Sequence, residues 1–556
     1  MTTVVTRRCR PCRSWARGVL NSFQRQNVMI EKETLLAFRT RVKPQPRPQR
    51  FVRRMACVFL SILAGSLLVS CGGEGTTPAS SPSVTPTPLS VAEVQQVIQD
   101  AAQSVNAPLV IAVADRAGKV LAVFRNASAP VTSTGNFGTT VDSNELAVAL
   151  ARTAALFSNN QAPLSSRTVR FISGIHFPPG VSDAPNADLY GIENTNRGCP
   201  LNASFLTGQS VDPARSIDGL SSGLGVITGK VDANDSDPAA VNPGGVPLFK
   251  NGAAVGGVGV VSTSTDVAEF AAFSGASQAG FLPTVAQLPP PGVVIIGGIA
   301  LPFVNQTTAP SGVGPGSAAG TFVVGPLTGG LPPEGDLVGP VGGASGLTQS
   351  DVATIINHAV ATAEMTRAVI HLPAGSRSRM TIAVADLDGT VLALHRMPDG
   401  TVFSIDVAVA KARNVIYFSN PAGTSDLPGV PAGTAVTNRT IGFGAQPLFT
   451  PGIDGSGPGP FFNLFLFDLA HPCTQGSQTA NANQNGVVFF PGSLPLYKNG
   501  VLVGGLGVSG DGVDQDDFVT NAGAKGFEAP IAMRADQVEV NGVRLPYQKF
   551  PRNPTD

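Results

Sequence analysis

The same order of segments occurs twice in this chain, and that duplication limits its fold more than any other feature. LSVAEV (89–94) is echoed by LTQSDV (347–352), and IAVADRAGKVLAVFR (111–125) by IAVADLDGTVLALHR (382–396). AVALARTAALFSN (147–159) returns as AVAKARNVIYFSN (408–420), and VPLFKNGAAVGGVGV (246–260) as LPLYKNGVLVGGLGV (494–508). GGIALPF (297–303) and NGVRLPY (541–547) close the series. A period of about 250 residues is domain-sized, which predicts a tandem pair and not a solenoid.

Each repeat has the same coarse pattern. Ser90-x-x-Glu93 and Thr348-x-x-Asp351 are capping boxes that open helices. Apolar residues at helical spacing follow, among them Val94, Val97 and Ile98, then Val352, Ile355 and Ile356. Two strands come next, joined by Asp115–Gly118 or Asp386–Gly389, and a second helix is expected near 143–158 and 404–418. Asn251-Gly252 and Asn499-Gly500 mark a later hairpin. Short helices should start near Asp266 and Asp514, with Asp514, Asp516 and Asp517 favoured at a helix N-terminus. The pattern predicts an α+β domain, an antiparallel sheet with packed helices, made twice in tandem. The Gly/Pro-rich stretch 306–346 reads as the linker between domains 89–305 and 347–550.

The net charge of zero hides a segregated distribution. Residues 1–70 hold 14 Lys and Arg against 2 acids, leaving 23 bases and 35 acids for the rest. An acidic body argues against a general nucleic-acid binder. Arg53 and Arg54 precede an apolar run, Ala56–Val69, too short to span a bilayer and typical of an export signal. The run ends in Leu68-Val69-Ser70-Cys71, which resembles a bacterial lipobox, with Cys71 as the lipidated residue and Gly72 after it. Residues 1–70 therefore read as a basic arm and lipoprotein signal, and 71–88 as a flexible tether. The expected address is the periplasmic face of the outer membrane or the cell surface, with a membrane partner through the lipid. Cys9-x-x-Cys12 lies ahead of the signal and lacks a second ligand pair.

The second repeat carries the fuller signature: Ala383-Val384-Ala385-Asp386-x-x-Gly389, then Arg396-Met397-Pro398-Asp399-Gly400. Ser404, Ala408, Lys411 and Ala412 follow, and Gly500, Gly504, Gly507 and Gly510 complete it. At these residues the chain resembles the GlcG/HbpS family of haem-binding or haem-degrading domains. That resemblance implies a profilin-like antiparallel five-stranded sheet with helices, homo-oligomeric assembly, and haem or a similar planar molecule as ligand. The tandem pair would act as a pseudo-dimer, with higher homo-oligomers open. The first repeat departs from the signature: Leu150 stands for Lys411 and Phe124 for His395. The enlarged loops 160–240 and 421–490 also leave the family pattern.

The resemblance places a ligand site preferentially in the second repeat, with Lys411 reaching a ligand carboxylate. His395, beside Arg396, is the first candidate axial donor and His176 the second. Arg125 and Arg396 are candidate carboxylate forks, against the plainer reading that each pairs within the protein. Haem degradation would need an electron source that the sequence does not show, so enzymatic activity is left open. The alternative is a cofactor-free binding or scaffold lipoprotein with decayed pockets. Gly505-x-Gly507-x-x-Gly510 formally matches a dinucleotide fingerprint but falls in a hairpin strand, where glycine instead permits close packing. Asp232, Asn234, Asp235 and Asp237 lack the glycine and distal acid of an EF-hand. Cys199 and Cys473 occupy equivalent places, one per repeat. An oxidising envelope would permit a disulfide between them; two separately buried thiols are the other option.

Overall fold

The computed structural model describes residues 86–556 apart from 136–139, 174–188, 193–194, 196–198, 200–241, 284–292, 297–298, 370–375 and positions 452, 454, 472, 480, 482 and 556. The first repeat opens with α1 (Val91–Ser104), capped by the reciprocal Ser90–Glu93 box. The hairpin β1 (Val110–Asp115) and β2 (Val120–Arg125) follows, then a small hairpin of β3 (Thr132–Thr134) and β4 (Thr140–Asp142). Next come α2 (Ser143–Phe157) and α3 (Ser166–Ile172), the hairpin β5 (Gly245–Lys250) and β6 (Ala253–Val261), and α4 (Thr265–Gln278). A short pair, β7 (Val293–Ile296) and β8 (Ile299–Pro302), ends the repeat.

Residues 306–346, expected as a linker, carry strands β9 (Thr321–Val324) and β10 (Gly335–Val338). The second repeat then runs α5 (Gln349–Met365), β11 (Thr381–Ala385), β12 (Val391–Arg396), α6 (Phe403–Ser419), α7 (Asn438–Gly444), α8 (Phe462–Ala470), β13 (Ser493–Lys498), β14 (Val501–Ser509) and α9 (Val513–Gly523). It ends with β15 (Glu539–Val540) and β16 (Val543–Arg544), paired as β7 and β8 are.

Two five-stranded antiparallel sheets result, in the orders β5-β6-β1-β2-β9 and β10-β12-β11-β14-β13. They are the same sheet built twice. One edge strand of each sheet, β9 or β10, comes from the stretch between the repeats, which thus completes both sheets. Equivalent hydrogen bonds show the correspondence. Leu327 N–H donates to Leu121 O and Val341 N–H to Leu392 O. Gly329 N–H donates to Leu89 O and Gly343 N–H to Leu347 O. Gly330 and Ala344 N–H donate to the carboxylates of Asp115 and Asp386.

Strand periodicity explains the layering. Along β1, Val110, Ala112 and Ala114 join the cluster containing Leu146, Ala147 and Ala151 of α2, whereas Ile111 and Val113 join Val94, Val97 and Ile98 of α1. Alternate side chains thus feed opposite faces, each covered by helices. The glycines of β6 and β14 let α2 and α6 approach. A Cβ on Gly259 would lie 2.1 Å from Ala147 O, and one on Gly507 2.1 Å from Ala408 O. That is the role of the Gly505–Gly510 pattern.

The repeats pack directly on each other. Phe157 stacks on Phe403 with ring centres 4.0 Å apart, Val402 N–H donates to Leu156 O, and one buried apolar cluster includes residues of both. Tyr190 lies 5.1 Å from Phe465, and Cys199 and Cys473 are joined as a disulfide with Cα atoms 5.3 Å apart. Among the described residues no helix is long and apolar enough to cross a membrane.

Candidate functional site

The family signature of the second repeat folds inward. Lys411, on α6, is fully buried; its ammonium donates to Val508 O at 2.8 Å and to Asp516 Oδ2 at 3.0 Å, and stands 4.9 Å from the Phe490 ring centre. Burial pushes the Asp516 carboxyl up to about 7, against the pull of Lys411, while burial also lowers the lysine. Close by, Ser404 shares hydrogen bonds with Thr401 and Ser509. The space over this group is only about 10 Å³, closed by Phe403, Phe490 and, from the first repeat, Leu189 and Ile192. The ammonium expected to meet a ligand carboxylate is held in this structure by an internal one.

The first repeat has Leu150 and Ala268 in the places of Lys411 and Asp516. The ion pair has become an apolar pair, and the region is an open cleft of about 410 Å³. Leu146, Leu150, Val260 and Ala268 form its floor, with hydroxyls such as Thr132, Ser133 and Ser264 at its rim. At this position open space is found in the first repeat and not in the second.

The two strand arginines do not offer a free fork. Arg396 is 2 % exposed; its Nε and Nη2 donate to Gly400 O and its Nη1 to Pro333 O, with Glu334 at 3.5 Å. Burial, reinforced by Arg116 nearby, lowers it to about 10. Arg125 donates to Asn144 Oδ1 and to the carbonyls of Ala129 and Pro130. Each arginine ties the end of its strand to the turn that follows.

His395 remains accessible. It lies on β12 with its side chain 21 % exposed, and its Nδ1 is 2.7 Å from Asp336 Oδ1 on β10. Its Nε2 makes no hydrogen bond among the described residues. In the first repeat the same cross-strand pair is Phe124 and Phe322, packed edge to face at 5.4 Å. Sequence reasoning missed Asp336 because the stretch that holds it reads as a linker. The signal was there: VGPLTGG (324–330) and VGPVGGA (338–344) are near-copies. Elsewhere, His358 is exposed on α5, and His471 stacks on Phe467 with ring centres 4.1 Å apart. His176 and Cys71 lie outside the described residues.

The acids expected at a helix start lie there, Asp514 and Asp516 in the first turn of α9, and they also serve as ion-pair partners. Arg439 binds Asp517 at 2.5 Å and Asp514 at 2.8 Å, and its counterpart Arg167 binds Glu269 at 2.7 Å. Arg439–Asp517 and Arg167–Glu269 are buried pairs, so these arginines are structural. Among the described residues no cluster of three or more His, Cys, Asp or Glu could hold a metal ion.

A haem group needs an axial donor. The described residues lining the two clefts of about 410 Å³ include no His, Cys, Met or Lys, and Tyr417, in the second of them, donates to Asp426 at 2.6 Å and is pushed up to about 12. Outside the clefts, His395 fits the role. A ligating imidazole typically gives its other nitrogen to a carboxylate, as Nδ1 is paired with Asp336 here.

Comparison with known proteins agrees with the location of the signature. The family model described as haem degrading protein HbpS-like matches residues 347–525. No curated protein matches the chain. Similar solved structures are a PduOC:haem complex (20% identity, 33% of this chain and 94% of that one, TM-score 0.22) and Klebsiella pneumoniae ORFY (18%, 32% and 86%, TM-score 0.21). A double mutant of Streptomyces reticuli HbpS is a third (18%, 32% and 86%, TM-score 0.20). The signature and four of the five strands of the second sheet fall within the matched segment, so residues 347–525 of this chain are similar to the HbpS-like family.

Proposed function

We propose that the chain is an exported, lipid-anchored protein that binds haem, or a planar ligand of that kind, for sensing, storage or scavenging. The observation that carries this reading is His395, within the HbpS-like segment 347–525, paired with Asp336 on the strand that precedes that segment. His395 would give Nε2 to the iron, and Asp336 would fix the ring and its tautomer. A bound haem would supply an iron centre able to change oxidation state and exchange ligands. The signal ending in Cys71 supports the envelope address, and the tandem pair would be the binding unit, as a covalent pseudo-dimer.

Titrating the full chain with haem tests the reading. A saturable, shifted Soret band is expected, lost in His395→Ala and weakened about tenfold or more in Asp336→Asn. A saturable band that His395→Ala leaves unchanged would move the axial ligand elsewhere. No saturable band would favour the second reading, a cofactor-free binding or scaffold lipoprotein. That reading draws on Lys411 and Arg396 being consumed by internal partners.

A further inference from the structure

The second repeat has a cleft of about 410 Å³ at the outer end of its first hairpin, distinct from the haem reading and independent of it. The hairpin turn at Leu387–Gly389, the C-terminal half of α6, and Gln475, Ser477, Gln478, Thr479, Asn481 and Asn483 form its walls. The last six belong to the enlarged 421–490 segment, where the chain leaves its family pattern.

The wall is fixed before any ligand arrives. Asp426 accepts from Tyr417 Oη at 2.6 Å, from Ser477 N at 2.8 Å and from Ser477 Oγ at 2.8 Å. Buried Asn414 donates to Gln475 Oε1 at 2.9 Å, and Asn483 Nδ2 donates to Asp388 O at 3.1 Å. Two residues before Gln475, Cys473 is anchored to the first repeat.

The cation at this cleft is already engaged, and the carboxylate is oriented by its own turn. Arg413 donates to Gly389 O at 2.9 Å and to Asn485 Oδ1 at 3.0 Å, and the Asp388 carboxylate accepts from the backbone and hydroxyl of Thr390 at 2.9 Å. Amides remain free: the exposed Gln478 side chain, Asn420 Nδ2 and Asn483 Oδ1 make no hydrogen bond among the described residues. Each amide carries both donors and acceptors, which suits a ligand whose groups also do both, namely hydroxyls. Tyr417 and Ile416 add apolar surface for the C–H faces such a ligand presents. An anion would find no uncommitted cation here, and a ligand with a large apolar side chain would find little to bury it.

We propose that this cleft is a binding site for a neutral saccharide. Its size falls in the range of small-ligand sites, and its polar lining selects a ligand whose own surface is mostly hydroxyl. The test is calorimetric titration of the full chain with cellobiose, maltose and N,N′-diacetylchitobiose, with the uncharged peptide acetyl-Ala-Asn-Ala-amide as a control. Saturable binding of at least one disaccharide is expected, weakened about 3- to 10-fold by Gln478→Ala and by Asn420→Ala, as loss of one hydrogen bond implies. Both residues are exposed, so the variants should keep the fold; far-UV circular dichroism checks this. Three outcomes would overturn the proposal: no disaccharide binding at about 10 mM, binding unchanged in both variants, or tighter binding of the peptide than of every disaccharide. Haem binding can fail without touching any of these readouts.

Discussion

The two repeats share a sheet, a set of caps and a glycine pattern, yet they treat one buried position in opposite ways. The second repeat encloses Lys411 with Asp516 under a lid of aromatic and aliphatic side chains. The first puts Leu150 and Ala268 there and leaves a cleft. Both solutions satisfy the same rule, that a buried charge must be paired or absent. What the fold requires was kept in both. Arg152 and Arg413 both donate to the turn glycine, Gly118 O or Gly389 O, and Arg167 and Arg439 both hold an acid of the last helix. The difference teaches that Lys411, although part of the family signature, can be exchanged for an apolar residue once its acid is exchanged too.

The comparison can be broken most forcefully at Lys411. Lys411→Ala should strand the Asp516 carboxylate and cost about 3–5 kcal/mol, read as a lowered urea midpoint. Lys411→Leu with Asp516→Ala, which writes the first repeat's solution into the second, should recover most of that loss or stabilise the protein. If the double variant is as unstable as the single one, the two solutions are not equivalent.

Removing the Cys199–Cys473 link asks whether the repeats are one body by packing or only by covalent bond. Cys199→Ser with Cys473→Ser should cost about 2–4 kcal/mol and lower the melting temperature. Because the buried cluster around Phe157 and Phe403 spans both repeats, a single calorimetric transition should remain. Two separated transitions would show that the disulfide alone couples them.

The smallest effect is expected where the repeats agree, in the surface pairs Lys250–Glu93 and Lys498–Asp351. Partial burial would raise the Asp351 carboxyl, but hydrogen bonds from Lys498 and Thr348 outweigh it and hold the group at about 2; Glu93 is lowered in the same way by Lys250 and Ser90. A folded pKa below the unfolded value near 4 gives stability present above that value and lost as pH falls toward 2. Lys498→Ala and Lys250→Ala should each cost less than about 1 kcal/mol at neutral pH, and the loss should vanish below pH 2. A clearly larger loss at one of them would mark an asymmetry the two sheets do not share.

What local chemistry can encode was readable in the sequence. The capping boxes at Ser90 and Thr348 form with both reciprocal bonds, and Asn251 and Asn499 take the positive φ that an Asn-Gly hairpin needs. The glycines of the last hairpin also read correctly, because a missing Cβ permits close packing wherever it falls. Two things were not legible. The partner of His395 and the fifth strand of each sheet come from a Gly/Pro-rich stretch whose composition signals a linker, while its strand pairing depends on sheets built from distant residues. The fate of Lys411 depends on Asp516, which is 105 residues away. Helix caps and turns act over three or four residues, so sequence by itself determined the repeat, its elements and its glycine contacts. Which charges are sealed, which cleft stays open and which strand completes a sheet were decided only by tertiary structure, because burial and pairing arise between segments that the chain does not place side by side.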